Sequence, residues 1–139
     1  MKANKTLMKL HRSIILLIIG ISFLLHGCEG GTTFTKSIQN LTNEPFQLIV
    51  RMENSTDTFQ IDAMEELQFY WADQMGYFTD DSYTCLQEID TISLQLIQGG
   101  LVLIDPMNPA SWMKISESGR NSKEDCILII TPSDISLEP

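Results

Sequence analysis

Residues 46–52, FQLIVRM, decide the fold because apolar side chains stand at every second position along them. Two of the three positions between those side chains are polar, Gln47 and Arg51. Successive side chains of a β-strand point to opposite faces of a sheet, so a period of two indicates a strand that buries one face. The stretch therefore predicts a half-buried β-strand.

The same alternation recurs through the rest of the chain, where it is more prominent than the helical period. Prolines and clusters of Asn, Asp, Ser and Gly separate the apolar runs, as expected of turns. The pattern predicts about seven short strands, within residues 34–38, 46–52, 59–61, 67–71, 92–96, 101–104 and 126–131. The stretch at 110–115 reads as a short edge strand.

Some local features carry their own predictions. Gly99 and Gly100 permit a positive-φ turn and predict a hairpin across residues 92–104. The polar composition of residues 72–84 and 117–125 predicts two long loops.

Residues 62–71 fit either a helix or a strand, since apolar side chains occur at both spacings. The aromatic run that ends at Trp71 suits a sheet, which favours a turn through residues 63–66 followed by a strand. Aromatic side chains at alternating positions usually pack in a core, and we expect this of Trp71.

Many short strands without an internal repeat are typical of an all-β domain. We therefore predict a single domain over residues 34–139, an antiparallel β-sandwich that is immunoglobulin-like in the loose sense. A small β-barrel is the alternative. The fully apolar run at residues 126–131 is expected at the centre of a sheet.

Charge is distributed unevenly along the 139 residues, which contain 18 acidic and 9 basic side chains. Residues 1–27 hold four of the basic residues and both histidines, which leaves 5 basic against 18 acidic residues and a formal charge of −13 for residues 28–139. Such a domain repels phosphate backbones, which argues against nucleic-acid binding. Without histidine it lacks the usual nucleophile pairs and His-ligated zinc sites, so we expect no enzyme activity, no cofactor and no metal.

The N-terminal segment is typical of an exported protein. Residues 1–12 are positively charged and residues 13–25, SIILLIIGISFLL, carry no charge. A membrane-spanning helix needs about 20 apolar residues, so a run of this length predicts a secretory signal peptide instead. We assign residues 1–27 to that signal.

The sequence Leu25-His26-Gly27-Cys28 resembles the lipobox of bacterial lipoproteins, and the whole chain resembles the small lipoproteins of that class. The resemblance implies cleavage before Cys28, lipid on its sulfur and attachment to a membrane through acyl chains. Residues 28–33 then read as a flexible tether. Glu29 replaces the aspartate that retains such proteins at the inner membrane, which favours the outer membrane of the cell envelope.

The two remaining cysteines, Cys85 and Cys126, form an even pair in an oxidising compartment. A redox pair is the alternative, but the sequence has no Cys-x-x-Cys motif. We therefore predict a structural disulfide between the segment before the hairpin and the last strand.

Function is predicted at the level of a class. The expected function is a non-enzymatic binding or scaffolding module, anchored by lipid in the envelope. Carboxylates in the predicted loop 72–84 are read as solvated rather than as a calcium site.

Two more specific functions remain open. The segments around Tyr83 to Cys85 and Ser116 to Arg120 are similar to motifs of membrane-bound lysozyme inhibitors, which implies an inhibitor of a basic enzyme with Ser118 and Arg120 in its site loop. A carbohydrate-binding module is the other alternative. Its interface, or one for a protein partner, would use three aromatic residues expected at exposed positions: Tyr77, Phe78 and Trp112.

Overall fold

The computed structural model describes residues 30–75 and 83–137, and these form an all-β structure. The strands are β1 (Gly31–Asn40), β2 (Phe46–Met52), β3 (Ser55–Ile61), β4 (Glu66–Met75), β5 (Thr91–Leu96), β6 (Leu101–Val102), β7 (Trp112–Glu117), β8 (Asn121–Ile130) and β9 (Ile135–Ser136). Short 3-10 helices occur at Pro109–Ser111 and Pro132–Asp134. The described residues contain nine strands against about seven predicted, and two of the nine, β6 and β9, have only two residues each.

The strands form two main sheets. One has four strands in the order β4-β1-β8-β7, and the other has three in the order β3-β2-β5. A small third sheet pairs β6 with β9. The sheets do not close into a barrel within the described residues, so the β-sandwich prediction is confirmed and the barrel alternative is not supported.

Strand β8 lies at the centre of the four-stranded sheet, as its apolar sequence predicts. It pairs in parallel with β1 and in antiparallel orientation with β7. The parallel pair departs from the expected all-antiparallel arrangement. From Ser122 to Ile130 every second side chain of β8 is buried, so one face of this sheet is directed into the core.

Strand β2 occupies the centre of the second sheet. Phe46 lies opposite Ile61 of β3 and Leu96 of β5, and all three side chains are buried. These side chains join Ile38 and Leu128 of the first sheet in one hydrophobic cluster. The half-buried strand predicted from FQLIVRM therefore forms one wall of the core.

The predicted hairpin across residues 92–104 is wrong. Gly99 and Gly100 do adopt positive φ and turn the chain. After the turn, however, β6 pairs with β9 and β5 pairs with β2. The turn residues specify a change of direction, whereas the pairing partner is set by the packing of the whole sandwich.

Both predicted long loops are shorter than expected. Strand β4 continues to Met75, and β8 already begins at Asn121, so the polar residues 121–125 belong to a strand rather than to a loop. The turn before a strand in residues 62–71 is confirmed, since β4 starts at Glu66. The predicted tether is also too long, because β1 already begins at Gly31.

Candidate functional site

The disulfide between Cys85 and Cys126 is present, as predicted, and both cysteines are buried. Cys126 lies in β8, and Cys85 lies in the chain segment between β4 and β5. The bond therefore fixes that segment, of which residues 83–90 are described, to the inward face of the four-stranded sheet. The rest of the site is built around this attachment.

Lys36 is fully buried beside the disulfide. It lies on β1 opposite Cys126 of β8 and Tyr70 of β4, and hence on the inward face of the sheet. Its Nζ donates a hydrogen bond to the carbonyl oxygen of Gln87. The same atom lies 4.6 Å from the centroid of the Tyr70 ring and 5.8 Å from that of Tyr83. Aromatic faces and a carbonyl thus replace water around this cation.

Ionisation of these groups is shifted by burial. Desolvation lowers the pKa of Lys36 to about 8, although the negative charge of Glu88 acts in the opposite direction. Desolvation raises the pKa of Tyr70, and the hydrogen bond that its hydroxyl donates to Glu88 Oε2 raises it further. Burial and the charges of Glu88 and Glu124 raise the pKa of Tyr83 to about 12.

A second lysine holds the same segment from the β7 side. Lys114 Nζ donates to the carbonyl oxygen of Tyr83 at 3.0 Å and lies 5.4 Å from the centroid of its ring. The same nitrogen is 3.5 Å from Glu124 Oε2, which also accepts a hydrogen bond from Ser116 at 2.5 Å. Polar contacts therefore fix residues 83–88 to the sheet from two directions.

A pocket of about 280 Å³ opens between this segment and the edge of the four-stranded sheet. We call it the Tyr70 pocket, and it is lined by Phe34, Tyr70, Ala72, Asp73, Gln74, Tyr83, Gln87 and Glu88. Its walls combine three aromatic rings with two acidic residues. The Tyr83 hydroxyl is buried and has no hydrogen-bond partner among the described residues. Carboxylates and aromatic rings together favour a cationic group.

Trp112 is not an exposed interface residue, and this prediction is wrong. Its side chain is 7% exposed, and its indole Nε1 donates to the carbonyl oxygen of Pro106 at 2.9 Å. Phe69 packs on it edge-to-face, with ring centroids 6.3 Å apart. Strand β7 is an edge strand that starts at Trp112. The preceding segment, which contains Pro106, covers the indole.

The prediction that Trp71 packs in the core is also wrong, because its side chain is 60% exposed. A register shift in the pairing of β1 with β4 follows Lys36, which lies opposite Tyr70. Tyr70 consequently faces the interior, and its neighbour Trp71 faces outward. The sequence showed that side chains alternate along the aromatic run, but it did not show which of them face the interior.

The other predicted site residues are separated. Ser118 and Arg120 lie in the turn between β7 and β8 and do not line the Tyr70 pocket. Cys28, Tyr77 and Phe78 lie outside the described residues. Asp73 accepts a hydrogen bond from Thr33 at 2.7 Å. No group of three or more potential metal ligands occurs within residues 30–75 and 83–137.

Lys36 and Glu88 are site residues that sequence reasoning missed. Phe34, Lys36 and Ile38 share the period-two pattern of a buried strand face. A lysine in such a row is a signal for a buried cation that needs partners, because an isolated charge is costly to bury. The identity of those partners depends on tertiary structure.

Comparisons with protein-family models, with curated proteins and with solved structures gave no match. Within the described part of the chain, no helix is long and apolar enough to span a membrane.

Proposed function

We propose that this protein is a lipid-anchored, non-enzymatic binding module of the bacterial cell envelope. The observation that carries the proposal is the disulfide between Cys85 and Cys126. The chain has three cysteines, so this bond leaves Cys28 as the one for lipid modification. Cys28 ends the segment Leu25-His26-Gly27-Cys28, where a lipobox places the acylated cysteine.

An exported location also fits the chemistry of the disulfide. Structural disulfides persist in oxidising compartments and are rare in a reducing cytosol. The positively charged and apolar halves of residues 1–27 provide the export signal. Glu29, in place of aspartate, favours the outer membrane. Acyl chains on Cys28 supply the membrane affinity, because a domain at −13 is repelled by anionic lipid.

The partner that charge favours is a basic protein. A strongly acidic domain attracts cationic partners over long distances and accelerates their association. The Tyr70 pocket offers Asp73, Glu88 and aromatic rings to a lysine or arginine side chain of such a partner. Inhibition of a basic enzyme such as lysozyme is one function this surface would serve. The burial of Trp112 removes one of the three aromatic residues predicted for the carbohydrate-binding alternative.

Metabolic labelling tests the lipid anchor. Cells that express the chain are grown with a radioactive fatty acid, in parallel with cells that express Cys28→Ser. We expect label on the wild-type protein and none on the variant, while both proteins accumulate. Equal labelling of the two proteins, or no labelling of either, would contradict the proposal.

Binding of a basic protein is measured with purified lysozyme as the probe. Glu88→Gln removes a carboxylate from the Tyr70 pocket, and Glu66→Gln removes one at the start of β4, outside the pocket. We expect Glu88→Gln to weaken binding severalfold more than Glu66→Gln, although the net charge changes equally. Identical affinities of the two variants would exclude the pocket, and absence of micromolar binding by the wild type would exclude this partner.

A further inference from the structure

The sheet begins close to the proposed lipid attachment site. Gly31 is the first residue of β1 and stands three positions after Cys28 in the sequence. Gly30 is already buried, and a Cβ atom added to it would lie 1.7 Å from the carbonyl oxygen of Arg120. The chain is therefore packed against the turn before β8 from Gly30 onward. The flexible tether expected over residues 28–33 is wrong for residues 30–33.

Three residues of fully extended chain span at most about 10 Å. Acyl chains on Cys28 enter the hydrocarbon core directly, so the Gly31 end of the sheet cannot be farther than about this distance from the lipid attachment point. The headgroup layer of one leaflet is itself several ångströms thick. This end of the domain consequently reaches the headgroups.

The strand register shows which residues share this end. Gly31 lies opposite Met75 of β4 and Asn121 of β8, and residues 118–120 form the turn that leads into β8. We call this set, Gly31, Met75 and residues 118–121, the anchor-proximal end. Asn40 marks the opposite end of β1, about 30 Å away at the rise of an extended strand.

We infer that the domain rests on the bilayer surface in one orientation, with the anchor-proximal end against the lipid headgroups. This inference rests on the proposed lipid anchor. Met75 is 79% exposed at this end and places an apolar side chain at the membrane interface. The orientation is imposed by the short connection rather than by charge, because the acidic domain is not attracted to anionic lipid.

The orientation also bears on function. It turns the Ser118–Arg120 turn toward the membrane, where a soluble enzyme has little access. The Tyr70 pocket extends from Phe34 and Tyr70, in the middle of β1 and β4, to Gln74, the neighbour of Met75. The part of the pocket at Phe34 and Tyr70 therefore lies farther from the membrane than the turn, and a partner from the aqueous phase can approach it there.

The test uses full-length protein purified from its host and reconstituted in vesicles that contain brominated phosphatidylcholine, which quenches tryptophan fluorescence at short range. Trp71→Phe removes the exposed indole, and Trp112 remains as a common buried background. Into this protein we introduce either Met75→Trp, at the anchor-proximal end, or Met64→Trp. Met64 is the matched control, because it is 67% exposed and lies near the Asn40 end of β1. Its amide donates to the carbonyl oxygen of Thr42, two residues beyond that end.

We expect severalfold stronger quenching for Met75→Trp than for Met64→Trp. Insertion of ten Gly and Ser residues after Glu29 gives a tether of about 17 Å root-mean-square length. This insertion should reduce quenching of the Met75→Trp protein toward the level of the control while the protein still floats with the vesicles.

Flotation and intact mass distinguish a failure of the proposed orientation from a failure of the proposed lipid anchor. If the protein is acylated and floats but both tryptophans are quenched equally, with or without the insertion, the orientation is wrong and the lipid anchor stands. If the protein carries no lipid and stays in solution, the proposed anchor is overturned, and this inference with it.

Discussion

Lys36 carries its charge into the interior of the sandwich, where the Tyr70 ring and the Gln87 carbonyl take the place of water. Burial of a cation is costly unless such partners are present, and removal of the cation is often tolerated better than removal of its partners. The lysine and the two tyrosines are titrated over different pH ranges, so their contributions to stability can be separated.

The pH dependence of stability should have a maximum near pH 10. Because the folded-state pKa of Lys36 is about 8 and its ordinary value is 10.5, the cost of burying the charge is fully present below pH 8 and is relieved as the pH rises toward 10.5. The difference corresponds to roughly 3 kcal/mol. Tyr70 and Tyr83 have raised pKa values, so they reduce stability as the pH rises above 10.

Denaturant unfolding from pH 7 to pH 11 measures this profile. The variant Lys36→Met should lack the increase between pH 8 and pH 10 and keep the decrease at higher pH. Wild-type and variant profiles that run parallel over the whole range would show that Lys36 is not the group responsible.

Truncation of the two tryptophans should change the free energy of unfolding by very different amounts. Trp112 is buried and hydrogen-bonded, so Trp112→Ala should reduce the free energy of unfolding by about 3–5 kcal/mol. Trp71 is largely exposed, so Trp71→Ala should change it by less than about 0.5 kcal/mol. Thermal or denaturant unfolding checks both values. If Trp71→Ala reduced the free energy of unfolding more than Trp112→Ala, Trp71 would be the inward-facing side chain, contrary to the structure.

At the scale of elements, the segment between β4 and β5 is held to the four-stranded sheet by a covalent bond and by two lysines. Cys85 bonds to β8, Lys36 reaches Gln87 from β1, and Lys114 reaches Tyr83 from β7. Residues 83–90 contain no β-strand, so these attachments take the place of a backbone ladder there.

Loss of the disulfide should be the largest single destabilisation in this segment. The bond links residues 41 positions apart, for which the chain-entropy model gives about 4 kcal/mol. The double variant Cys85→Ser, Cys126→Ser should therefore unfold at clearly lower denaturant concentration than the wild type. Treatment of the wild type with a reductant provides an independent measurement, and an unchanged midpoint in both cases would contradict this role.

At the scale of the whole molecule, local patterns predicted much of the architecture. Alternation identified β2 and β5, and the apolar run at residues 126–131 identified the centre of a sheet. The parallel pairing of β1 with β8 and the pairing of β6 with β9 were not predictable, because they join strands that are distant in sequence. The disulfide was predictable from the number of cysteines. The surroundings of Lys36 were not, because the groups that contact this lysine meet only in the folded sandwich.

Intact mass spectrometry of the protein isolated from its host tests the lipid anchor most directly. We expect a chain that begins at Cys28, lacks residues 1–27 and carries the additional mass of a diacylglycerol group. A mass that corresponds to an intact Met1 and an unmodified thiol at Cys28 would contradict it.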